Sequence, residues 1–346
     1  MLQVWSRRGP LACLLWPLAL LFQLLSAARR AAFRAGLCKT ARLPVPLIVV
    51  GNLFVGGTGK TPMTIWLIDA LRRAGRHPGV ISRGYGRADA GVQRVTLQSH
   101  AAEVGDEPVV IVRRTGCPLM VGRDRVAAAT ALLAAYPEVD VIISDDGLQH
   151  YRLGRDIEII VSDARGNGNG WLLPAGPLRE PPGRRRDFSI TNIGTPQASL
   201  DAAPPALAAP GDAAGHWPMR LDAPIAEQLR DRSQRTTLAA IAAGGPRQSI
   251  LAAAGIGNPA RFFASLDAAG IACDTLSLPD HHAYTAQTFA DSRADLILIT
   301  EKDAVKCGDI PALANDARLW VVPVTAELPA PLADLIVERL RGYPIA

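Results

Sequence analysis

A glycine-rich stretch that ends in lysine and threonine is the part of the sequence best suited to chemistry. It consists of Gly56, Gly57, Thr58, Gly59, Lys60 and Thr61, directly after an apolar run. In such a loop the backbone N–H groups surround phosphate oxygens, the lysine reaches the β- and γ-phosphates, and the threonine hydroxyl can bind Mg²⁺. The usual spacing would place another glycine where Phe54 stands. The stretch therefore predicts a variant phosphate-binding loop for ATP and Mg²⁺; the alternative is a glycine-rich turn with an exposed lysine.

Two aspartates, Asp145 and Asp146, follow the apolar run 139–144. A strand that ends in aspartate is typical of the second carboxylate on the Mg²⁺ side of P-loop proteins. Alone, an Asp-Asp-Gly sequence would indicate a turn, but the presence of the Lys60 loop favours a metal site. The sequence leaves open which of the two aspartates contacts the metal.

Candidate proton acceptors lie in two further segments. Asp106 belongs to the acidic segment 105–108, which is predicted to be a turn, and a carboxylate beside ATP can accept the proton of an attacking hydroxyl. Asp280 and His281 lie much later in the chain. Asp280 could orient His281, or His281 could tune Asp106 across a cleft. A capped turn is the alternative reading of both segments.

Arginines follow two of the predicted strands, at the ends where open α/β sheets bind ligands. They are Arg83, Arg87 and Arg123, and each could hold a phosphate with two hydrogen bonds or be a solvated surface charge. The run 184–186 is also basic, but no aromatic residues are interleaved with it. It therefore indicates a surface patch rather than a nucleic-acid site.

The N-terminal segment 11–25 is almost wholly apolar. Basic residues lie on both sides of it: Arg7, Arg8, Arg29, Arg30, Arg34, Lys39 and Arg42. A membrane-spanning helix needs about 20 apolar residues, so this run is short. The pattern predicts a peripheral or monotopic helix that lies in or dips into the inner leaflet of a membrane, pinned by its basic flanks. A full span, a buried helix and a signal peptide are the alternatives.

Short apolar runs alternate with amphipathic stretches in the remaining sequence, as in βαβ units. Strands are predicted at 46–50, 78–81, 118–121, 139–144, 157–161, 249–254, 296–300 and 319–324, and helices at 61–74 and 331–340. The predicted fold is α/β, with a P-loop NTPase-like core sheet, a second, smaller α/β lobe and an N-terminal membrane-associated helix.

Composition divides the chain into five predicted segments. They are a membrane-associated helical segment (1–45), a P-loop ATP-binding lobe (46–165), a hinge or lid (166–190), a second α/β lobe (191–330) and a C-terminal helix (331–346). The Ala- and Pro-rich stretch 202–224 is predicted to be a surface linker.

The composition of the 346 residues excludes several classes of protein. Hydrophobic residues make up 49% and charged residues 20%, which excludes global disorder. The net charge of +5 favours anionic partners without choosing among them. The five cysteines are scattered and never spaced as Cys-x-x-Cys, which argues against a disulfide framework or a zinc site.

With these motifs in place, the sequence resembles the tetraacyldisaccharide 4′-kinase family of lipid A biosynthesis. The matching blocks are GNLFVGGTGKTP (51–62), SRGYG (82–86), GDEP (105–108), DDGLQH (145–150), PAGPLRE (174–180), GIGNPARFF (255–263), DHH (280–282) and TEKD (300–303). They run in order over most of the chain. The stretch 202–224 matches no motif of the family.

The resemblance implies transfer of the γ-phosphoryl group of ATP, with Mg²⁺, to the 4′-hydroxyl of an acylated glucosamine disaccharide 1-phosphate, which gives lipid IVA. It also implies a role for each matching residue. Asp106 would be the base, assisted by His281; Glu107, Asp145, Asp146 and Gln149 would position metal and phosphate; and Arg179 and Glu180 would lie on the hinge side of the site.

Two functions of other classes suit the same loop. One is a membrane-attached partitioning or switch ATPase, although such proteins usually carry a second lysine where Val55 stands. The other is a phosphate-activating ligase, which would release ADP only with a carboxylate substrate. The segment 300–303 is predicted either to contact adenine or to cap a helix.

Overall fold

The computed structural model describes residues 5–87, 89, 91–194, 215–244 and 248–343, and it arranges them in two lobes, each built on one β-sheet. The predicted α/β fold is confirmed, with the glycine-rich loop in the larger lobe and a long apolar helix at the N-terminal end.

The larger lobe contains a nine-stranded sheet within the described residues. Its strands are β1 (Leu47–Gly51), β2 (Pro78–Ser82), β3 (Gln93–Val95), β4 (Leu119–Val121), β5 (Val141–Asp145), β6 (Ile157–Asp163), β7 (Phe188–Gly194), β8 (His216–Asp222) and β15 (Thr325–Glu327). They lie in the order β15-β8-β7-β6-β1-β5-β2-β4-β3. The strands at the two edges, β3 and β15, pair antiparallel with their neighbours, and the pairs between them are parallel.

Helices cover both faces of this sheet. They are α1 (Pro10–Arg34), α2 (Lys60–Arg73), α3 (Ala101–Val104), α4 (Asp106–Thr115), α5 (Arg125–Ala135) and α10 (Ala330–Arg339). Residues of α2, α4 and α10 share a buried cluster with Ile48 and Val50, whereas residues of α5 share one with Leu47 and Val49. Because both faces are covered, β1, β2 and β5 are wholly buried, and their sequences are apolar runs rather than alternating ones.

The smaller lobe contains a six-stranded sheet within the described residues, in the order β10-β9-β14-β13-β11-β12. These strands are β9 (Ile225–Gln228), β10 (Arg235–Thr237), β11 (Ile250–Ala254), β12 (Asp274–Ser277), β13 (Leu296–Thr300) and β14 (Leu319–Val322). The helices of this lobe are α6 (Leu238–Ala243), α7 (Pro259–Ala268), α8 (Glu301–Gly308) and α9 (Pro311–Ala314). The carboxyl ends of β11 and β13 lead into the segments that face the larger lobe.

Strand pairing divides the chain differently from the predicted boundaries. The predicted second lobe (191–330) includes β8 and β15, yet both strands extend the larger sheet, and α10 packs in the core of the same lobe. The smaller lobe is therefore an insertion between β8 and β15. The predicted linker 202–224 contains β8, and its residues 202–214 lie outside the described part of the chain.

The predicted hinge (166–190) is a packed support rather than an open lid. Leu172, Ala175 and Leu178 are buried within it. The Trp5 indole donates a hydrogen bond to Pro174 O at 3.0 Å, and Arg8 Nε donates to Asn169 O at 3.1 Å. The residues just before α1 are thus fixed to this segment.

One face of α1 lies against the larger lobe and the other is open. Ala12 and Ala19 are buried, and Phe22 packs against the core beside β1. The outward face carries exposed leucines: Leu11, Leu14, Leu18, Leu20, Leu21, Leu24 and Leu25. The helix is 25 residues long and apolar enough to cross a membrane by length and composition.

Candidate active site

The glycine-rich loop connects β1 to α2 and adopts a conformation that needs glycine at two positions. Gly56 and Gly59 have φ angles of 105° and 104°, in the left-handed half of the backbone map. A Cβ on Gly59 would also lie 2.9 Å from Met219 Cε and 3.0 Å from Asn192 Nδ2. A side chain at Gly59 is therefore excluded by both strain and space.

Side chains hold three consecutive carbonyl oxygens of this loop. Gly56 O accepts from Asn52 Nδ2 at 2.9 Å, Gly57 O from Arg165 Nη2 at 2.9 Å, and Thr58 O from Asn192 Nδ2 at 3.1 Å. In a trans peptide the C=O and the following N–H point in opposite directions. Fixing these carbonyls on the protein side therefore turns the next three amides toward the opposite side, where a phosphate would accept from them.

Lys60 lies between the loop and one of the two aspartates. Its Nζ donates to Asn52 Oδ1 at 3.3 Å and is 3.9 Å from Asp146 Oδ1. Arg179 Nη1 donates to both oxygens of Asp146, at 2.8 and 3.0 Å. Burial opposes ionisation of Asp146, but the charges of Lys60 and Arg179 outweigh it and lower the pKa of that carboxyl. Asp146 is thus committed to two cations.

Asp145 differs from Asp146 because its carboxylate oxygens make almost no hydrogen bonds. The residue is buried, Oδ2 is 3.5 Å from Ser82 Oγ, and Oδ1 has no hydrogen-bond partner among the described residues. Burial and the nearby carboxylate of Glu107 raise the pKa of Asp145 to about 7. A buried carboxylate with a free oxygen fits a cation ligand, so the residues suit Mg²⁺.

A metal at this point would also need ligands from outside the protein. No group of three or more His, Cys, Asp or Glu side chains within the described residues is arranged to hold a metal ion. Mg²⁺ in phosphoryl-transfer sites is typically held by one or two protein groups together with substrate phosphates and water. Asp145, with the Glu107 carboxylate nearby, would be a protein donor set of that small size.

The arginines predicted to bind phosphate lie in different places. Arg83 and Arg123 are exposed, and Arg87 donates to Gly91 O at 2.6 Å in the turn that follows it. A buried arginine near the aspartates is Arg125, which donates to Gly122 O at 2.6 Å, and the charges of Arg83 and Arg87 also act on it. Burial lowers its pKa to about 10, whereas the charges of Asp145 and Asp146 act to raise it. Arg125 is the first residue of α5 and is buried, whereas Arg123 precedes the Asp124 cap and is exposed.

Asp106 and His281 meet across the boundary between the lobes. His281 Nδ1 is 3.2 Å from Asp106 Oδ2, whereas His281 Nε2 is 3.9 Å from Asp280 Oδ1. Of the two partners considered from the sequence, Asp106 is therefore the one within hydrogen-bond distance. The hydrogen bond to Asp106 raises the pKa of His281, against burial and the charge of Lys302.

Two lysines that the sequence reading did not single out complete this cluster. Lys302 Nζ is 3.7 Å from Asp106 Oδ2 and 3.4 Å from Glu107 Oε1, and Lys306 Nζ is 3.9 Å from Asp106 Oδ2. Burial alone would raise the pKa of Asp106, but the hydrogen bond with His281 and the two lysines lower it. The signal that could have found Lys302 was the TEKD block, which contains it.

Asp106 is the first residue of α4 rather than part of a turn. Gly105 precedes the helix with a φ of 91°, and Pro108 is tolerated because it lies in the first helical turn. A Cβ on Gly84 would lie 2.6 Å from Val104 O, so this loop packs directly under the start of α4. At the start of α8, Thr300 accepts from Asp303 N, which is the helix cap considered for that segment.

Glu180 supports the site rather than facing a phosphate. It is buried, and its oxygens accept from Gln149 Nε2 at 3.0 Å and from Tyr151 Oη at 2.6 Å. Arg184 also donates to it, and Arg30 of α1 lies 3.9 Å away. Glu180 therefore links Arg30 of α1 to the segment that carries Arg179, and Gln149 supports Glu180.

The two halves of the site touch through the loop after β11. A Cβ on Gly257 would lie 3.2 Å from Gly57 N on one side and 3.2 Å from Asp280 Oδ2 on the other. Asp280 Oδ1 is in turn 3.6 Å from Lys302 Nζ, beside Asp106. The phosphate-binding loop and the Asp106–His281 pair thus border one cleft.

Comparison with known families decides what this cleft belongs to. The family model described as tetraacyldisaccharide-1-P 4′-kinase matches residues 11–341. The chain belongs to the tetraacyldisaccharide 4′-kinase family. It is 59% identical over 346 residues to the tetraacyldisaccharide 4′-kinase of Janthinobacterium sp. (strain Marseille), covering 99% of this chain and 96% of that protein. It is 57% identical over 352 residues to the one of Herminiimonas arsenicoxydans, with the same coverage.

A solved structure of the tetraacyldisaccharide 4′-kinase family has the same fold. The crystal structure of LpxK from Aquifex aeolicus in complex with ATP superposes with a TM-score of 0.78 at 26% identity, covering 95% of this chain and 99% of that chain. The resemblance drawn from the motif blocks is therefore confirmed over nearly the whole sequence. Partitioning ATPases and phosphate-activating ligases belong to classes other than this kinase family.

Proposed function

We propose that this chain transfers the γ-phosphoryl group of ATP to the 4′-hydroxyl of an acylated glucosamine disaccharide 1-phosphate, giving lipid IVA. The observation that carries the assignment of roles is the shared cleft. A phosphate-binding loop with Lys60 borders it on one side, and a carboxylate–histidine pair, Asp106 and His281, borders it on the other. A kinase for a sugar hydroxyl needs these two parts, a grip on the phosphates and a proton acceptor.

The phosphates of ATP are held by the loop in this proposal. The amides after Gly56, Gly57 and Thr58 face the phosphate side, and the Lys60 ammonium neutralises charge on the transferred group. The contact between Arg179 and Asp146 keeps that carboxylate at 3.9 Å from Lys60. It thereby limits the freedom of the lysine.

Thr61, Asp145 and Glu107 are the residues that would hold Mg²⁺. Bound there, the ion would neutralise charge on the phosphate oxygens. Asp145 is the better ligand of the aspartate pair because its Oδ1 has no hydrogen-bond partner among the described residues, whereas both oxygens of Asp146 accept from Arg179.

Asp106 takes the proton of the attacking 4′-hydroxyl, and His281 assists Asp106 through the hydrogen bond between them. Asp106 is held in its charged form by His281, Lys302 and Lys306, which suits a group that must be unprotonated when the acceptor arrives. Because the hydrogen bond between Asp106 and His281 joins two titrating groups, the proton is accepted by the pair.

The acceptor binds between α1 and the larger lobe in this proposal. A cavity of about 240 Å³ lies there, lined by Phe22, Arg29, Arg30, Gln149, Tyr151 and Arg179 among others. Three arginines and one carboxylate, Glu180, line it, so its charge suits an anionic sugar phosphate, and Arg179 of this lining binds Asp146 beside Lys60. An acceptor in this cavity would therefore reach the phosphate loop from the side of α1.

The open face of α1 meets the cytoplasmic surface of the inner membrane. Both ends of the helix are tied to the larger lobe, through Trp5 and Arg8 before it and Arg30 near its end. A helix docked along one face and apolar along the other suits monotopic insertion better than an independent span. The acylated substrate would enter the cavity from this surface.

The test is phosphate transfer to a panel of acceptors. The chain is incubated with Mg·ATP labelled at the γ-phosphate and with the glycolipid, a generic protein or small carboxylates, and products are identified by mass spectrometry. Label on the 4′-position of the glycolipid, absent with Lys60→Ala, is expected. Label on protein or ADP release that depends on a carboxylate would overturn the proposal.

A further inference from the structure

Asp163, at the end of β6, has no part in the roles assigned above, although it is buried beside the phosphate loop. Both of its oxygens accept from Arg165, with Nη2 to Oδ2 at 2.7 Å and Nε to Oδ1 at 3.0 Å. Arg261, on α7 of the smaller lobe, donates to the same Oδ2 at 2.7 Å. One carboxylate therefore binds two guanidinium groups, one from each lobe.

Arg165 carries this arrangement into the phosphate loop. Its Nη2 also donates to Gly57 O at 2.9 Å, and its guanidinium lies over the Phe54 ring at 4.3 Å from the centroid. Gly57 O belongs to the peptide whose N–H is that of Thr58. The position of Arg165 therefore sets the direction of one amide that the proposed function gives to ATP.

The same local turn occurs elsewhere without these links. Asp316 and Arg318 repeat the Asp-Ala-Arg sequence, with Nη2 to Oδ2 at 2.7 Å and Nε to Oδ1 at 3.0 Å. Arg318 then donates to Ser292 O and Phe289 O within its own lobe. The Asp163 turn is thus an ordinary local motif to which a loop carbonyl and an arginine from the other lobe have been added.

We propose that Asp163 is a positioning residue that couples the approach of the smaller lobe, through Arg261, to the orientation of the Gly57–Thr58 peptide, through Arg165. This inference rests on the proposed use of the loop for ATP. When Arg261 binds Asp163, it fixes the position of the Asp163 carboxylate, and the carboxylate fixes the orientation of Arg165. The Thr58 amide is then held in the direction in which it would donate to a phosphate. Opening of the lobes removes Arg261 and leaves Arg165 with one constraint fewer.

Nucleotide affinity and turnover of matched variants test the coupling. Asp163→Asn keeps the size of the side chain and removes its charge, and it should raise the Kd for Mg·ATP, measured by calorimetry, about tenfold, because charge-assisted hydrogen bonds are lost. Arg261→Ala should raise it about threefold, because Arg165 and Asp163 still pair. Asp316→Asn, the matched control, should lower the melting temperature while leaving Kd within about twofold of the wild-type value.

The double variant decides between coupling and simple structural damage. Arg261→Ala should change Kd little further when Asp163 is already Asn, since the two act through one carboxylate. Independent, multiplicative effects, or an equal loss with Asp316→Asn, would overturn the proposal. If Asp163→Asn does not fold, Arg261→Ala provides the test, because its side chain is partly exposed and its loss should be tolerated. An unchanged Kd in Arg261→Ala would then overturn the proposal. Because calorimetry needs no acceptor, a wild-type chain that binds Mg·ATP but phosphorylates no glycolipid would contradict the proposed function alone.

Discussion

The two ends of the cleft are built in different ways. At the phosphate end, Lys60, Asn52 and Asp146 all belong to the larger lobe, and Asn52 and Lys60 are only 8 residues apart in the sequence. At the proton end, Asp106 comes from the larger lobe whereas His281 comes from the smaller one. In the proposed function, the side chains around Lys60 therefore come from one lobe, whereas the proton acceptor combines residues of both lobes.

Removing the lysine of the phosphate-binding loop should have the largest effect on kcat/KM. Lys60→Ala takes away the point charge on the β- and γ-phosphate oxygens, and we expect a loss of at least about a thousandfold in kcat/KM. Thermal unfolding of the variant should stay cooperative, which separates loss of chemistry from loss of fold. Near-normal turnover would show that the loop is not the ATP site, and the contrast between the two ends would disappear.

Removing the proton acceptor should spare ATP binding. Asp106→Ala is expected to lower kcat by about a hundredfold or more while KM for ATP changes little, because general bases contribute on that scale to the chemical step. His281→Ala should act in the same direction less severely. The double variant should be little worse than Asp106→Ala, since residues that act as a unit are not additive. Should Asp106→Ala instead lose Mg·ATP binding with kcat intact, Asp106 is a metal ligand.

The pH dependence sharpens the comparison further. The hydrogen bond to Asp106 raises the pKa of His281, so the pair becomes protonated, and kcat falls, as the pH drops through a value above the ordinary 6.5 or so of histidine. Asp106→Asn removes the carboxylate that raises the pKa of His281. The pH at which the residual activity is half lost should therefore be lower than in the wild-type protein. Titration of the His281 ring by NMR provides a check without turnover. A pKa of His281 that is the same in both proteins would contradict the assigned pair.

The smallest effect on the ATP site should come from α1. Deletion of residues 11–25 should move the protein from the membrane fraction to the soluble fraction, because it removes the exposed leucines. Mg·ATP binding should change less than about twofold, since β1 begins only at Leu47. Glycolipid turnover should fall, because Phe22 lines the acceptor cavity. Unchanged fractionation would mean that the helix is not the membrane contact.

The same contrast explains how much the sequence could predict. The loop at 56–61 and the buried strands were recognisable because glycine spacing and apolar runs are local signals, and the structure has each predicted strand within a few residues. The sequence did not show that Arg125 of this loop is buried whereas Arg123 is exposed, because that difference depends on where α5 begins. Lys302 was missed because its three carboxylate partners are far away in the sequence.

The predicted domain boundaries differ from the observed strand pairing for a related reason. The local sequence does not indicate that a strand will pair with a sheet formed earlier in the chain. In addition, β8 contains a proline and lies in a region whose composition predicted a linker. Asp163 and Arg261 were likewise invisible as a pair, because each is an ordinary charged residue until the lobes bring them to 2.7 Å. Contacts between lobes are therefore the part of this protein that only a structure or a family resemblance reveals.

The insertion of the smaller lobe between β8 and β15 has a consequence for how the chain folds during synthesis. Most of the larger sheet can form early, but β15 and α10 are translated only after the whole of the smaller lobe. Until they arrive, β8 is an unpaired edge, and the place of Leu332 and Ile336 in the core is open. The nascent larger lobe therefore passes through a stage in which it is prone to aggregation, and that stage lasts as long as translation of the smaller lobe.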